Sequence, residues 1–320
     1  MAENHGFQTI MAAGLESTWG TAVNATQKLP YVSDSLDAMF RHNQTPAMVG
    51  SAAMPKSTKG VRVAGGGIET YYTYGLAQPL LRQFFGTWTD DAINGDYYPY
   101  TALTTGVSLT VAVNRGVSVH EYAGYKIGEL TLSGAPNDSV KLSLQGNAKN
   151  RVISSSENTS AELAALDEPA AEVLFHELTF RVGDLADALA SGDNLSITQF
   201  SLKLNRNHVV KEVNSATAEQ ARENGFLGAE LEFTLPYYDA NTWITWHEAH
   251  TVLQASLIFS DGTNSQTWNI PQCLVVEAPV PQGDAGMTEP KIKLSLHPNR
   301  DEANTETDFD FAEVIRLFEA

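Results

Sequence analysis

Two copies of one tetrapeptide, Lys141-Leu142-Ser143-Leu144 and Lys293-Leu294-Ser295-Leu296, decide how this 320-residue chain is organised. They lie 152 residues apart (293 − 141), and each is followed within three residues by an asparagine. In both copies leucine alternates with a polar residue, and this period of two is typical of a strand with one apolar face and one polar face. The repeat predicts two β-rich modules of one architecture within a single chain.

The segments that precede each copy also correspond. Each half contains, in the same order, an extended run, an apolar helical stretch, a strand, a turn and a second strand. In the first half these segments are 67–74, 76–85, 108–113, 114–116 and 125–133. In the second half they are 228–235, 241–253, 256–259, 261–262 and 272–278. The leucines and phenylalanines of 76–85 are spaced for one face of a helix. The sequence therefore predicts a mainly β protein with sandwich or partial-barrel modules, each with one helix.

Composition divides the chain into five parts. Residues 1–30 are polar and rich in turn formers, which predicts an N-terminal arm, and residues 31–150 form the first module. Residues 151–172 are rich in Ser, Glu and Ala and predict a linker or loop with some helix, and the second module covers 173–300. Residues 301–320 begin acidic and end apolar, which predicts a C-terminal arm or a short helix.

Charge and cysteine content limit the classes of function. The chain carries 38 Asp and Glu against 20 Lys and Arg, a formal net charge of −18, whereas a surface that holds nucleic acid needs a positive field. The single cysteine, Cys273, excludes an internal disulfide and lies in an apolar strand-like run, which predicts a buried side chain. No run approaches the roughly 18 apolar residues that a membrane span requires. The N-terminus has no signal-peptide pattern.

The sequence predicts no catalytic, cofactor or metal site. His247-Glu248-Ala249-His250 resembles a zinc-protease helix, but its histidines are three residues apart, and the zinc motif needs four. Gly65-Gly66-Gly67 lacks the Lys-Ser/Thr of a phosphate loop and precedes a strand. An acidic carbohydrate-binding or glycosidase-like β protein is an alternative, but it would need paired carboxylates in an aromatic cleft. No such pair can be singled out.

Short motifs resemble those of tail tube proteins from long-tailed bacteriophages. Gly14-Leu15-Glu16-Ser17-Thr18-Trp19-Gly20-Thr21 is similar to the family's opening Glu-x-Thr-aromatic-Gly-Thr, and 197–207 resembles a strand of the family that ends in Asn-x-Asn. The glycine-rich strand that leads into a leucine-rich helix, 65–85, also fits. The resemblance implies a structural virion protein without catalytic residues, whose rings stack into a hollow tube that delivers the genome. Another phage virion β protein, a decoration or baseplate component, is the nearest alternative.

The resemblance also implies partners, a location and a channel. The partners are copies of the same chain, other tail proteins such as the tape measure, tail terminator and distal tail proteins, and DNA in transient passage. No membrane is involved, and the location is the virion tail after synthesis in the host cytoplasm. Two modules per chain predict a trimeric ring of pseudo-sixfold appearance, with a hexamer as the alternative. The polar positions of the alternating strands are then predicted to face the lumen. They are Glu129, Thr131, Lys141, Ser143, Lys203, Glu230, Glu232 and Lys293.

Overall fold

The computed structural model describes residues 9–43, 57–75, 77–86, 97–100, 107–185, 188–238, 240–279, 289–298 and 315–319. The strands of the first half are β1 (Ile10–Glu16), β2 (Gln27–Leu29), β3 (Tyr31–Asp34), β4 (Asp37–Asn43), β5 (Thr58–Tyr71), β6 (Tyr97–Pro99), β7 (Ser108–Asn114), β8 (Val119–Gly134), β9 (Lys141–Ala148) and β10 (Asn150–Ile153). Those of the second half are β11 (Leu178–Asp184), β12 (Asn194–Leu195), β13 (Gln199–Asn205), β14 (His208–Val209), β15 (Arg222–Glu223), β16 (Gly228–Thr234), β17 (Leu253–Ser260), β18 (Ser265–Glu277), β19 (Lys291–His297) and β20 (Arg316–Glu319). The prediction of a mainly β protein is confirmed.

Helices are short and occupy the places that the apolar stripes predict. A π-helical turn (Ala77–Leu81) runs into α1 (Arg82–Phe85), α2 is Ser160–Ala165, and α3 is Thr242–Ala249. Single 3-10 turns lie at Phe175–Glu177 and Ser191–Asp193. The helical stretch predicted over 241–253 ends earlier, because His250 adopts a left-handed conformation that terminates α3. Leu76, the first residue of the other predicted stretch, lies outside the described residues.

The two halves pair their strands in the same order. In the first half the hydrogen-bonded order is β2–β1–β7–β8–β9–β5–β3, with β10 on the far side of β8. In the second half it is β12–β11–β17–β18–β19–β16–β13, with β20 on the far side of β18. All of these pairings are antiparallel. The repeated tetrapeptides lie in β9 and β19, which therefore hold equivalent places.

Two antiparallel strand pairings within the described residues link the halves, β6 with β20 and β8 with β13. Residues 129–134 of β8 pair with 200–205 of β13, a joint that we call the internal seam. It creates a continuous eight-stranded run in the order β3–β5–β9–β8–β13–β16–β19–β18. Alternate side chains of the run, such as Leu132, Leu202 and Leu231, are fully buried. Since side chains alternate between the faces of a sheet, the other side of the run is its polar face.

The described parts of both termini belong to the sheets. Within the arm predicted over 1–30, β1 is a strand between β2 and β7, and Met11, Ala12 and Ala13 are fully buried. The arm interpretation is therefore wrong for this strand, because its small apolar residues complete the core. At the other end, β20 is a strand rather than a helix and pairs with both β6 and β18. Residues 1–8 and the acidic 301–314 lie outside the described residues.

The predicted linker over 151–172 is attached to the first half. It contains the end of β10 and the helix α2, whose N-terminus has a capping box formed by Thr159 and Glu162. Just before this cap, the buried Asn158 donates a hydrogen bond from Nδ2 to Glu121 Oε2 at 2.7 Å and accepts one from the Ala25 N–H at 2.8 Å. These contacts hold the linker against β8 and the N-terminal segment. The module limits 31–150 and 173–300 remain predictions.

Candidate functional site: the polar face and open edges of the sheet

All eight residues predicted to face a lumen lie on the polar face of the eight-stranded run. One row across adjacent strands contains Ser143, Thr131, Lys203, Glu230 and Ser295. A second row contains Lys141, Ser133, Ser201, Glu232 and Lys293. A third pairs Gln145, Glu129 and Asn205. None of the eight is buried in the isolated chain. The prediction missed Lys291, which its alternation with Ile292 and Lys293 in β19 could have indicated.

The charges on the polar face neutralise one another in diagonal pairs. Lys203 Nζ lies 2.9 Å from Glu129 Oε1, and Lys293 Nζ lies 3.0 Å from Glu230 Oε2. A third pair joins Lys291 Nζ to Glu232 Oε2 at 2.5 Å. The hydrogen bond to Glu230 raises the pKa of the Lys293 ammonium above its ordinary value. Interleaved charges of both signs give this face no continuous positive stripe that could hold a phosphate backbone.

The N-terminal motif encloses a buried carboxylate. Glu16 ends β1 and is only 2% exposed. It accepts hydrogen bonds of 2.6–2.8 Å from the hydroxyls of Ser108 and Thr110 and from the N–H groups of Gly20 and Gly124. Trp19 Nε1 donates to the Gly124 carbonyl at 3.1 Å, and Gly20 has a φ of +70°, where a side chain would be strained. The motif therefore needs Glu, Trp and Gly at this spacing to fix the turn after β1 against β8.

The Asn-x-Asn motif at 205–207 supplies a further contact between the halves. The Arg206 guanidinium is fully buried and donates to backbone carbonyls at the C-terminal end of α1 and to the Glu223 carboxylate. Its central carbon lies 5.1 Å from the Phe84 ring centroid and 4.8 Å from that of Tyr100. Burial lowers the pKa of Arg206, but a guanidinium remains charged at neutral pH. The Arg206 guanidinium of the second half is thus bound by the C-terminal end of α1 in the first half.

Two edges of the eight-stranded run have no partner strand within the described residues. At one end, β3 and β4 pair only with β5. At the other, residues 274–277 of β18 pair only with β19, and Val276 is 45% exposed. An exposed apolar strand edge is a template for pairing with another chain. We call these two stretches the open edges and regard them as candidate assembly surfaces.

Other groups considered in the sequence have structural positions. Cys273 is fully buried, and burial raises the pKa of its thiol. His247 and His250 lie at the exposed C-terminal end of α3. Within the described ranges, no three His, Cys, Asp or Glu side chains are arranged to hold a metal ion. The same part of the chain has no helix with the length and apolar character needed to cross a membrane.

Comparison with known proteins identifies the family. The family model described as phage tail tube protein matches residues 6–297. The match includes the internal seam, both open edges and every described strand except β20. No curated protein matches the chain. A match of this extent carries the family's structural role in the tail tube of a phage virion, and the chain therefore belongs to the phage tail tube protein family.

Proposed function

We propose that three copies of this chain close into a ring in which their eight-stranded runs form one barrel around the genome channel. The internal seam carries this proposal, because it joins two similar half-sheets through their edges without interrupting the polar face. Each chain supplies eight strands, so three chains give 24. With about 4.8 Å between strands and a tilt of about 40°, a 24-stranded barrel has a backbone diameter of roughly 50 Å. Such a barrel leaves room for a DNA duplex inside the side chains.

We also infer that the halves arose by duplication of one module. Support comes from the identical pairing order and from the 152-residue spacing, which places Lys141 and Lys293 at the same point of β9 and β19. A duplicated module gives a trimer the pseudo-sixfold appearance of a six-module ring. In the alternative hexamer, only one half would line the channel. The continuous polar face across both halves favours the trimer.

The measurement that tests this proposal is the mass of an isolated ring, together with a count of chains around the axis in an image reconstruction. We expect three chains and about 24 strands around the lumen. A ring of six chains would contradict the trimer. If both halves of six chains lined the channel, the backbone diameter would be about twice as large.

The polar face is proposed to let DNA slide because its lysines are paired with carboxylates. Replacing Glu230 and Glu232 together with Lys would remove the partners of Lys293 and Lys291 and place a basic patch in the channel. We expect rings to assemble nearly normally, because exposed ion pairs contribute at most about 1 kcal/mol each. DNA ejection should slow and infectivity should fall, because a basic wall binds phosphates by counterion release. Normal infectivity of phage with both changes would contradict the channel assignment. A Glu157→Lys, Glu248→Lys double variant, with both changes at exposed positions outside the eight-stranded run, adds the same charge and serves as the control.

Rings of this kind are proposed to stack into the tube through their strand ends and loops. The tape measure protein would then lie in the channel during assembly, and the tail terminator and distal tail proteins would close the two ends. The family's role in the tail tube supports these proposed partners.

A further inference from the structure

We infer that the open edge of β18 pairs with β3 of the next chain in the register that β8 and β13 adopt at the internal seam. This inference rests on the proposed ring and names the surface that closes it. The occupant of each open edge is a second copy of this chain. The internal seam serves as the template, because β8 and β18, and likewise β13 and β3, hold the same places in the two pairing orders.

The equivalent of Lys203 on the β3 edge is Ser33. Ser143 and Ser295 are equivalent through the tetrapeptide repeat. Glu69 pairs with Ser143, and Glu230 pairs with Ser295, so these two glutamates are equivalent. Ser33 lies opposite Glu69, and Lys203 lies opposite Glu230. Ser33 of β3 in the first half therefore occupies the position that Lys203 of β13 occupies in the second half.

The equivalent of Thr131 on the β18 edge is Leu274. Thr131 pairs with Ser143 of β9, and Leu274 pairs with Ser295 of β19. At the internal seam, Thr131 lies directly opposite Lys203. The same register between chains sets Leu274 of one copy opposite Ser33 of the next, on the polar face.

Side-chain size supports this pairing. At the internal seam the long side chain, Lys203, comes from β13 and lies opposite the shorter Thr131. Between chains the long side chain, Leu274, would come from β18 and lie opposite the short Ser33. A shallow groove lined by Ser33, Ser35 and Glu69 lies beside this position on the polar face, whereas the space above Gly67 is filled by the Gln145 side chain. The pairing would also bring the exposed Val276 to the joint.

Disulfide trapping tests the register. A Ser33→Cys, Leu274→Cys variant, made in a Cys273→Ala background, places two thiols directly opposite each other across the joint. Opposed residues of antiparallel strands have Cβ atoms about 5 Å apart, close to the reach of a disulfide. Oxidised glutathione accepts the two electrons as the thiols join. Two matched pairs serve as controls. A Thr131→Cys, Lys203→Cys variant should form an intrachain bond at the internal seam. A Glu69→Cys, Leu274→Cys variant places one thiol a strand further away.

We expect isolated rings of the Ser33→Cys, Leu274→Cys variant to migrate as covalent trimers under non-reducing denaturing conditions. The Thr131→Cys, Lys203→Cys variant should migrate as a monomer. The Glu69→Cys, Leu274→Cys variant should remain mostly unlinked. Rings of normal mass in which Ser33→Cys and Leu274→Cys do not link, although the internal pair does, would overturn this register and leave the proposed ring intact. Absence of rings from the wild-type chain would overturn both. If the variant fails to fold, a reconstruction of the wild-type ring that resolves strands reads the register directly, and any partner of β18 other than β3 rejects the inference.

Discussion

The internal seam and the open edges hold equivalent places in the two halves, but their chemistry differs. Beside the internal seam lie the buried Arg206 guanidinium and the ion pair between Lys203 and Glu129. At the equivalent positions the open edges present the uncharged Leu274 and Ser33, while Glu277 and Asp34 lie farther along the same two strands. A joint that forms once, during folding, can contain a buried charge whose desolvation is compensated by fixed partners. An edge that must remain in water before it meets another chain depends instead on free backbone groups and modest apolar contact.

The largest effect is expected from removing the buried cation beside the internal seam. Arg206→Ala removes the guanidinium that donates to the Glu223 carboxylate and to two helix carbonyls. Breaking a buried ion pair typically costs 3–5 kcal/mol, and because Glu223 is slightly exposed we expect about 3 kcal/mol. Chemical denaturation of the unassembled chain measures this loss in the free energy of unfolding.

The control for this variant is Arg181→Ala, since the Arg181 side chain makes an exposed hydrogen bond to Asn194. We expect that change to stay within about 0.5 kcal/mol of the wild type. Equal effects from the two substitutions would show that Arg206 does not stabilise the contact between the halves.

A smaller effect is expected from acid. His208 lies against Gly128 of β8, and burial, assisted by Lys126 and Arg206, lowers its pKa to about 4. Between pH 6.5 and 4 the unfolded chain binds a proton that the folded chain excludes. This contribution to stability is therefore complete above pH 6.5 and is lost as the pH falls towards 4. After allowance for partial exposure we expect a loss of about 2 kcal/mol.

His208→Gln removes this titrating group and should flatten the decrease in unfolding free energy between pH 6.5 and 4. His176→Gln, a change in an exposed 3-10 turn, is the matched control and should keep the wild-type slope. If the His208 variant retains the full slope, another group is responsible for the acid sensitivity.

The smallest effect is expected at the ion pair on the seam's polar side. The Lys203 and Glu129 side chains are 48% and 33% exposed, so their interaction is screened. A double-mutant cycle with Lys203→Gln and Glu129→Gln should give a coupling of about 0.5 kcal/mol that declines as salt rises. Because the proposed joint between chains has Leu274 and Ser33 at the equivalent positions, we expect ring closure to respond less to salt. A coupling above about 2 kcal/mol would show that this pair is shielded from solvent.

Several features could be predicted from sequence because they are local. Alternation of Leu with polar residues placed all eight predicted residues on one face, since side chains of a strand alternate regardless of its partners. The apolar stripe before Gly86 predicted the helix that ends at Phe85. The sequence did not predict strand β1, because Ala12, Ala13 and Gly14 have low strand propensity. These residues form a strand only because they pair with β7. The same holds for β20, which depends on β6 and β18.

The sequence by itself determined the mainly β character and the residues of the polar face, because each depends on periodicity, and the copied segment predicted the two-module repeat. Tertiary structure alone decided that β8 pairs with β13, that Arg206 lies against α1 and that, among the described residues, β3 and residues 274–277 of β18 each pair on one side only. Those outcomes arise from contacts between segments far apart in the chain, such as 129–134 with 200–205. Strand pairing uses backbone groups common to every residue, so the choice of partner depends on which edges the whole fold brings together.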